Sequence, residues 1–100
     1  MPDTYEVRIT PRALADLEAI FGYIQGHSPQ NAAAMIGKLL DAIDGLDILP
    51  RRFNVPRVGF VRGRQVRSMP VPPYLVRSRI DEKRKTVFIL RVRHGARRRP

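Results

Sequence analysis

Tyr5-Glu6-Val7-Arg8-Ile9-Thr10-Pro11-Arg12-Ala13-Leu14 is the stretch on which the fold turns. Tyr5, Val7 and Ile9 alternate with Glu6, Arg8 and Thr10, the period-two pattern of a strand that buries one face. Thr10-Pro11 then offers a hydroxyl to the free amides of a helix start, and a proline at the first helical position, where a missing N–H loses no intrahelical partner. A strand therefore passes directly into a helix. Ala13, Leu17, Ile20 and Ile24 form one narrow apolar stripe that Leu14 and Phe21 widen, so the helix spans about 11–25 and Gly26 predicts a left-handed stop. Ser28-Pro29 repeats the cap-and-proline device after only His27, which makes the second helix double back as an αα-hairpin. The apolar residues of that helix are Ala32, Met35, Ile36, Leu39, Leu40, Ile43 and Leu46. Together with Ala33 and Ala42 they cover about half its circumference, wider than the ~100° stripe that one contact needs. Either this helix packs on both the first helix and a sheet, or part of its face is a groove for another chain.

Pro50 ends the hairpin. Residues 50–63 hold Pro50, Pro56, Gly59 and Gly63 among Arg51, Arg52, Arg57 and Arg62, with no sustained period, and read as a long basic loop. A connection of that length in a compact domain is either a contact surface or merely solvated. Three strands follow, over 64–70, 74–81 and 86–93, with Pro72-Pro73 and Glu82-Lys83-Arg84-Lys85 as the turns. Val87, Phe88, Ile89, Leu90 and Val92 are apolar on both alternating faces, which predicts an interior strand covered at least in part on both sides and places Phe88 in the core. Strand 74–81 alternates instead, setting Arg77 and Arg79 side by side on one face. The reading is an α+β fold of order β-α-α-β-β-β, a helical hairpin packed on a mainly antiparallel four-stranded sheet, in one domain over residues 1–100.

Charge is distributed as unevenly as the strands. Of nineteen Lys and Arg residues, sixteen lie in residues 51–100 beside only Asp81 and Glu82, whereas residues 1–50 hold three against seven carboxylates. Such a field draws polyanions or acidic protein segments to one part of the surface. With 43% hydrophobic residues the chain is not a disordered basic tail. The absence of cysteine excludes disulfides, thiolate zinc sites and cysteine nucleophiles, and suits a reducing cytosol. No run approaches the ~18 apolar residues of a membrane span, and no basic segment followed by an apolar one opens the chain, so the expectation is a cytoplasmic protein with no membrane partner.

Arg67-Ser68-Met69-Pro70-Val71, Tyr74-Leu75-Val76, Arg79, Ile89-Leu90-Arg91-Val92 and His94-Gly95-Ala96-Arg97 together resemble the C-terminal half of ParE toxins in the RelE/ParE superfamily. Ile9-Thr10-Pro11-Arg12-Ala13, Asp16-Leu17, Ile20, Tyr23-Ile24, Ser28-Pro29 and Ala32 resemble the same family's opening. No single piece is specific, but their order and spacing are. The resemblance implies the toxin of a bacterial type II toxin–antitoxin pair of the plasmid-stabilisation kind, with a cognate antitoxin as partner. This chain departs from the family pattern at Arg77-Ser78, where an aromatic or aliphatic residue and a tyrosine are common, at Arg93, and at Arg98-Arg99, where an aspartate is common.

Relatives of the resembled family either cleave messenger RNA on the ribosome, as RelE-like members do, or inhibit DNA gyrase, as ParE-like members do. Metal-free RNA cleavage needs a group to activate the 2′-hydroxyl, another to protonate the leaving oxygen, and cations for the developing charge. The chain is rich in arginine, a poor proton shuttle and a good phosphate clamp. The basic loop has no lysine, no tyrosine follows His94, and no second acid/base partner for His94 stands out. The expectation is accordingly a toxin that binds gyrase, alone or together with its DNA, and is not itself an enzyme. Catalytic residues, cofactors, metal ligands and a small-molecule substrate are all absent from that reading, with RNA cleavage as the alternative and a non-toxic nucleic-acid-binding domain as the further one. Arg51, Arg52, Arg57, Arg62, Arg77, Arg79, His94, Arg97 and Arg98 are the expected target contacts. The tail arginines could equally be a solvated terminus. The antitoxin is expected on the outer part of the helical hairpin with the adjacent sheet, at Tyr23, Arg12, Met35 and Leu39, with Tyr23 off the core stripe beside Asp16 and Arg12.

Overall fold

The computed structural model describes residues 4–48, 59–61 and 64–95. Its elements are β1 (Glu6–Ile9), α1 (Pro11–Gln25), α2 (Pro29–Asp44), a 3-10 turn over Gly45–Asp47, β2 (Gly59–Val61), β3 (Arg64–Val71), β4 (Tyr74–Asp81) and β5 (Thr86–His94). The sheet order is β1-β5-β4-β3-β2. β1 runs parallel to β5 and the other pairs are antiparallel. The four expected strands are thus present, and β2 adds a short fifth inside the stretch read as a loop. Three residues are too few for a period of two to stand out among glycine, proline and arginine.

Thr10 fastens the strand-to-helix junction in two directions. Its Oγ accepts from the Ala13 amide at 3.2 Å as the cap of α1 and donates to the Ile89 carbonyl of β5 at 2.7 Å. Ser28 caps α2 through the Asn31 amide at 3.3 Å. Gly26 corrects the sequence reading. It stays right-handed at φ −62°, because the amides of His27 and Ser28 both close on the Ile24 carbonyl and satisfy the helix end without a left-handed residue.

The hairpin packs on one side of the sheet. Ala13 and Leu17 of α1, Leu39 and Ile43 of α2, and Leu46 meet Met69, Val71, Tyr74, Val76, Val87, Ile89 and Val92 in a single core. Side chains of β4 and β5 alternate between this core and the opposite, outer face, with a register shift between Arg77 and Ser78. Phe88 lies on the outer face opposite Arg79, whose guanidinium sits 4.7 Å above its ring. That is a second correction, since the guanidinium of an arginine covers the ring in place of a packed element. Among the described residues no helix is long and apolar enough to cross a membrane.

Gly37 lies on the exposed side of α2 with open space where a Cβ would stand. Gly37→Ala should stabilise the protein by about 0.5–1 kcal/mol, by the difference in helix propensity and unfolded-chain entropy. A denaturation midpoint that moves up without a change of slope in urea is the expected result.

Candidate functional site

Two surfaces flank the C-terminal end of β5. The first is a groove of about 950 Å³ between the closed end of the hairpin and the sheet. Ile20 and Ile24 of α1, Met35 of α2 and Val92 and Tyr74 of the sheet form its apolar floor, all buried or half-buried. Its exposed rim carries Tyr23, Asn31, Lys38 and His94. Tyr23 is 71% exposed and tilts its ring toward His27 at 5.3 Å. Tyr74 and His94 face each other across β4 and β5, with their rings edge-on at 5.4 Å. Among the described residues no carboxylate lines the groove.

Asp16 ties α1 to the end of β5. β1 ends at Ile9, so β5 beyond its pairing partner has a free edge. There Asp16 accepts from the Val92 amide at 2.9 Å and takes the Arg91 guanidinium through two contacts, 2.9 and 3.3 Å. Burial pushes the Asp16 carboxyl up. The hydrogen bonds from Arg91 and Val92 and the charges of Arg91 and Arg12 outweigh that burial and hold it below the ordinary carboxylate range. The same hydrogen bond raises Arg91 further into its protonated form.

The second surface is the outer face of β4 and β5. Arg77 is paired across the strands with Arg91, Leu75 with Arg93, and Arg79 with Phe88. Like charges directly opposite one another destabilise a sheet, and among the described residues Arg91 is neutralised, by Asp16, while Arg77 is not.

The expected site residues divide between these surfaces. Tyr23 and Met35 come together in the groove, His94 joins them from β5, and Arg77 and Arg79 lie on the outer face. Arg12 is exposed on the first turn of α1, outside the groove lining. Leu39 is fully buried in the core and is corrected as a docking residue, since no partner can reach it. Arg51, Arg52, Arg57, Arg62, Arg97 and Arg98 lie outside the described residues. Sequence reasoning passed over Asn31 and Lys38 for this site. They fall on one stripe with Met35 at i, i+4 and i+7, and the signal was that this stripe faces Tyr23 once the hairpin closes.

A family model described as the ParE toxin of the type II toxin–antitoxin system parDE matches residues 7–99. The chain belongs to the ParE toxin family. Toxin RelE2 of Caulobacter vibrioides is 40% identical over 88 residues, covering 88% of this chain and 92% of that protein. Among solved structures, the chromosomal ParDE system of P. aeruginosa superposes with a TM-score of 0.71 at 22% identity, over 92% of this chain and 97% of that one. The toxin–antitoxin complex RelBE2 of Mycobacterium tuberculosis superposes with a TM-score of 0.62 at 30% identity, over 91% of each chain. The chain is therefore a type II toxin of the RelE/ParE superfamily, with that fold.

Proposed function

We propose that this toxin arrests growth by binding DNA gyrase, without cleaving RNA, and is neutralised by an antitoxin segment laid in the groove. One observation carries the choice of binding over cleavage. Among the described residues, Tyr74 and His94 line the groove with a single cation, Lys38, on its rim, whereas the arginines Arg77, Arg79 and Arg93 occupy the opposite face of the same strands. RNA cleavage needs proton transfer and charge stabilisation around a single phosphate. A sheet between the two sets keeps them apart.

The groove suits a folding segment from a partner chain. Its apolar floor takes hydrophobic anchors, and Lys38 and His94 on the rim favour an acidic residue beside them. Relatives solved as toxin–antitoxin complexes support such a partner.

The specific observation favouring the nuclease alternative is the Tyr74–His94 contact itself, so the decisive test includes both residues. Purified toxin should inhibit supercoiling by gyrase and leave messenger RNA intact on translating ribosomes. His94→Gln and Tyr74→Phe should each retain growth arrest within a few-fold. RNA cuts with normal supercoiling, abolished by either substitution in a folded protein, would establish the enzyme instead.

A further inference from the structure

The outer face of the sheet has a pattern of neutralisation that the groove does not explain. Arg8 is paired with Glu6, Arg84 with Asp81, Lys85 with Glu82 and Arg91 with Asp16. Among the described residues, no carboxylate partners Arg77, Arg79 or Arg93, and these three share the outer face of two adjacent strands. Directly opposed positions on neighbouring strands have Cβ atoms about 4.5–5.5 Å apart, and alternate residues of one strand are about 6.6–6.8 Å apart. Three unneutralised guanidiniums are thus held in one patch on a rigid support. Folding alone disfavours that arrangement.

The chemistry of the patch selects its ligand. Among the described residues the large exposed hydrophobic side chains are Ile9, Leu14, Phe21, Tyr23, Leu40 and Ile48, and none belongs to the outer face of β4 or β5, where Leu75, Phe88 and Leu90 are half-buried. A protein partner would find no large exposed apolar anchor there, the kind of side chain from which most interfaces draw their binding energy. Single-stranded nucleic acid would need a free aromatic face for its bases, and the ring available, Phe88, is already covered by Arg79. Double-stranded RNA offers the same phosphates with 2′-hydroxyls added, so an RNA duplex of equal length that bound more tightly than DNA would overturn the choice of DNA. What remains is a backbone of phosphates approached by cations alone.

We infer that the outer face of β4 and β5 docks duplex DNA through its phosphates, with Arg77, Arg79 and Arg93 as the contacts and no reading of base sequence. The inference is independent of the gyrase reading, because it requires neither gyrase nor the groove.

The test is an anisotropy titration of the full chain with a fluorescent 20-base-pair duplex between 50 and 200 mM salt. Each phosphate contact contributes about −0.9 to the slope of log affinity against log salt. Arg77→Gln/Arg93→Gln should flatten the slope by about two and weaken binding about ten-fold or more at 100 mM salt. Arg77→Lys/Arg93→Lys should restore the slope, since a phosphate accepts either cation. Arg12→Gln/Lys83→Gln, which removes the same charge away from the three arginines, should shift affinity less than three-fold. Equal losses in the two glutamine variants would overturn the proposal in favour of diffuse attraction by net charge. An unchanged duplex titration with weakened binding of a poly-glutamate peptide would overturn it in favour of an acidic protein partner. Superimposable circular dichroism and melting of all variants establishes that each comparison is made between folded proteins.

Discussion

Asp16→Ala should lower folding stability by about 1–3 kcal/mol at neutral pH, the cost of leaving a part-buried guanidinium and a strand amide without their acceptor. The Asp16 side chain is 17% exposed and that of Arg91 29%, so solvent replaces the lost contacts poorly. Truncating one partner costs more than the pair contributes, so Arg91→Met should soften the effect. In a double-mutant cycle measured by urea denaturation, the two losses should fall short of additivity by at least 0.5 kcal/mol. Additive losses would mean that the pair is not coupled. pH supplies a second check. The folded pKa of Asp16 lies below the unfolded value of about 3.9, so its contribution is complete above that value and is lost as pH falls through the folded one. The stability gap between wild type and Asp16→Asn should stay constant from pH 8 to about 5 and narrow below about 4. A gap that is unchanged at pH 2 would assign the effect to packing rather than to the ionised carboxylate.

This contact also marks the boundary of what the sequence made legible. Caps are local, and Thr10-Pro11 and Ser28-Pro29 announced both helices because each hydroxyl reaches an amide three residues away. Asp16 and Arg91 are 75 residues apart, and no periodicity connects a helix position with the free edge of a strand. The terminus of α1 was misread for a related reason. Glycine permits a left-handed stop without requiring one, and the tight turn through His27 and Ser28 made it unnecessary. Phe88 was placed in the core by composition, since a strand apolar on both faces looks covered on both. Which covering it has depends on Arg79 of the neighbouring strand, and that is a fact of register rather than of pattern. The same register brings Tyr74 beside His94 and lines up Arg77 with Arg91, relations that spacing within one strand does not contain.

Leu39→Ala and Tyr23→Ala should separate the two roles that one helical period confounds. Both residues were expected at a partner surface, since apolar and aromatic positions on an amphipathic hairpin serve the core and a groove equally well. Burial divides them, with Leu39 fully enclosed and Tyr23 71% exposed on the groove rim. Leu39→Ala removes buried methyl groups from a site walled by both layers, so it should cost about 2–5 kcal/mol, the upper part of that range applying if the cavity does not collapse. Its effect on antitoxin affinity, measured on the remaining folded fraction, should be less than three-fold. Tyr23→Ala should leave stability within about 0.5 kcal/mol, because an exposed ring loses little on truncation. It should instead weaken antitoxin binding about ten-fold or more, as loss of an aromatic contact beside an apolar floor does. Thermal melting and a binding titration on both variants give four numbers. The reverse pattern, a stable Leu39→Ala that fails to bind and a destabilised Tyr23→Ala that still binds, would put the docking surface on the face of α2 and remove the groove from the mechanism of neutralisation. If Tyr23→Ala is stable and binds normally, the antitoxin passes outside the groove rim and Lys38 and His94 should be equally dispensable to it.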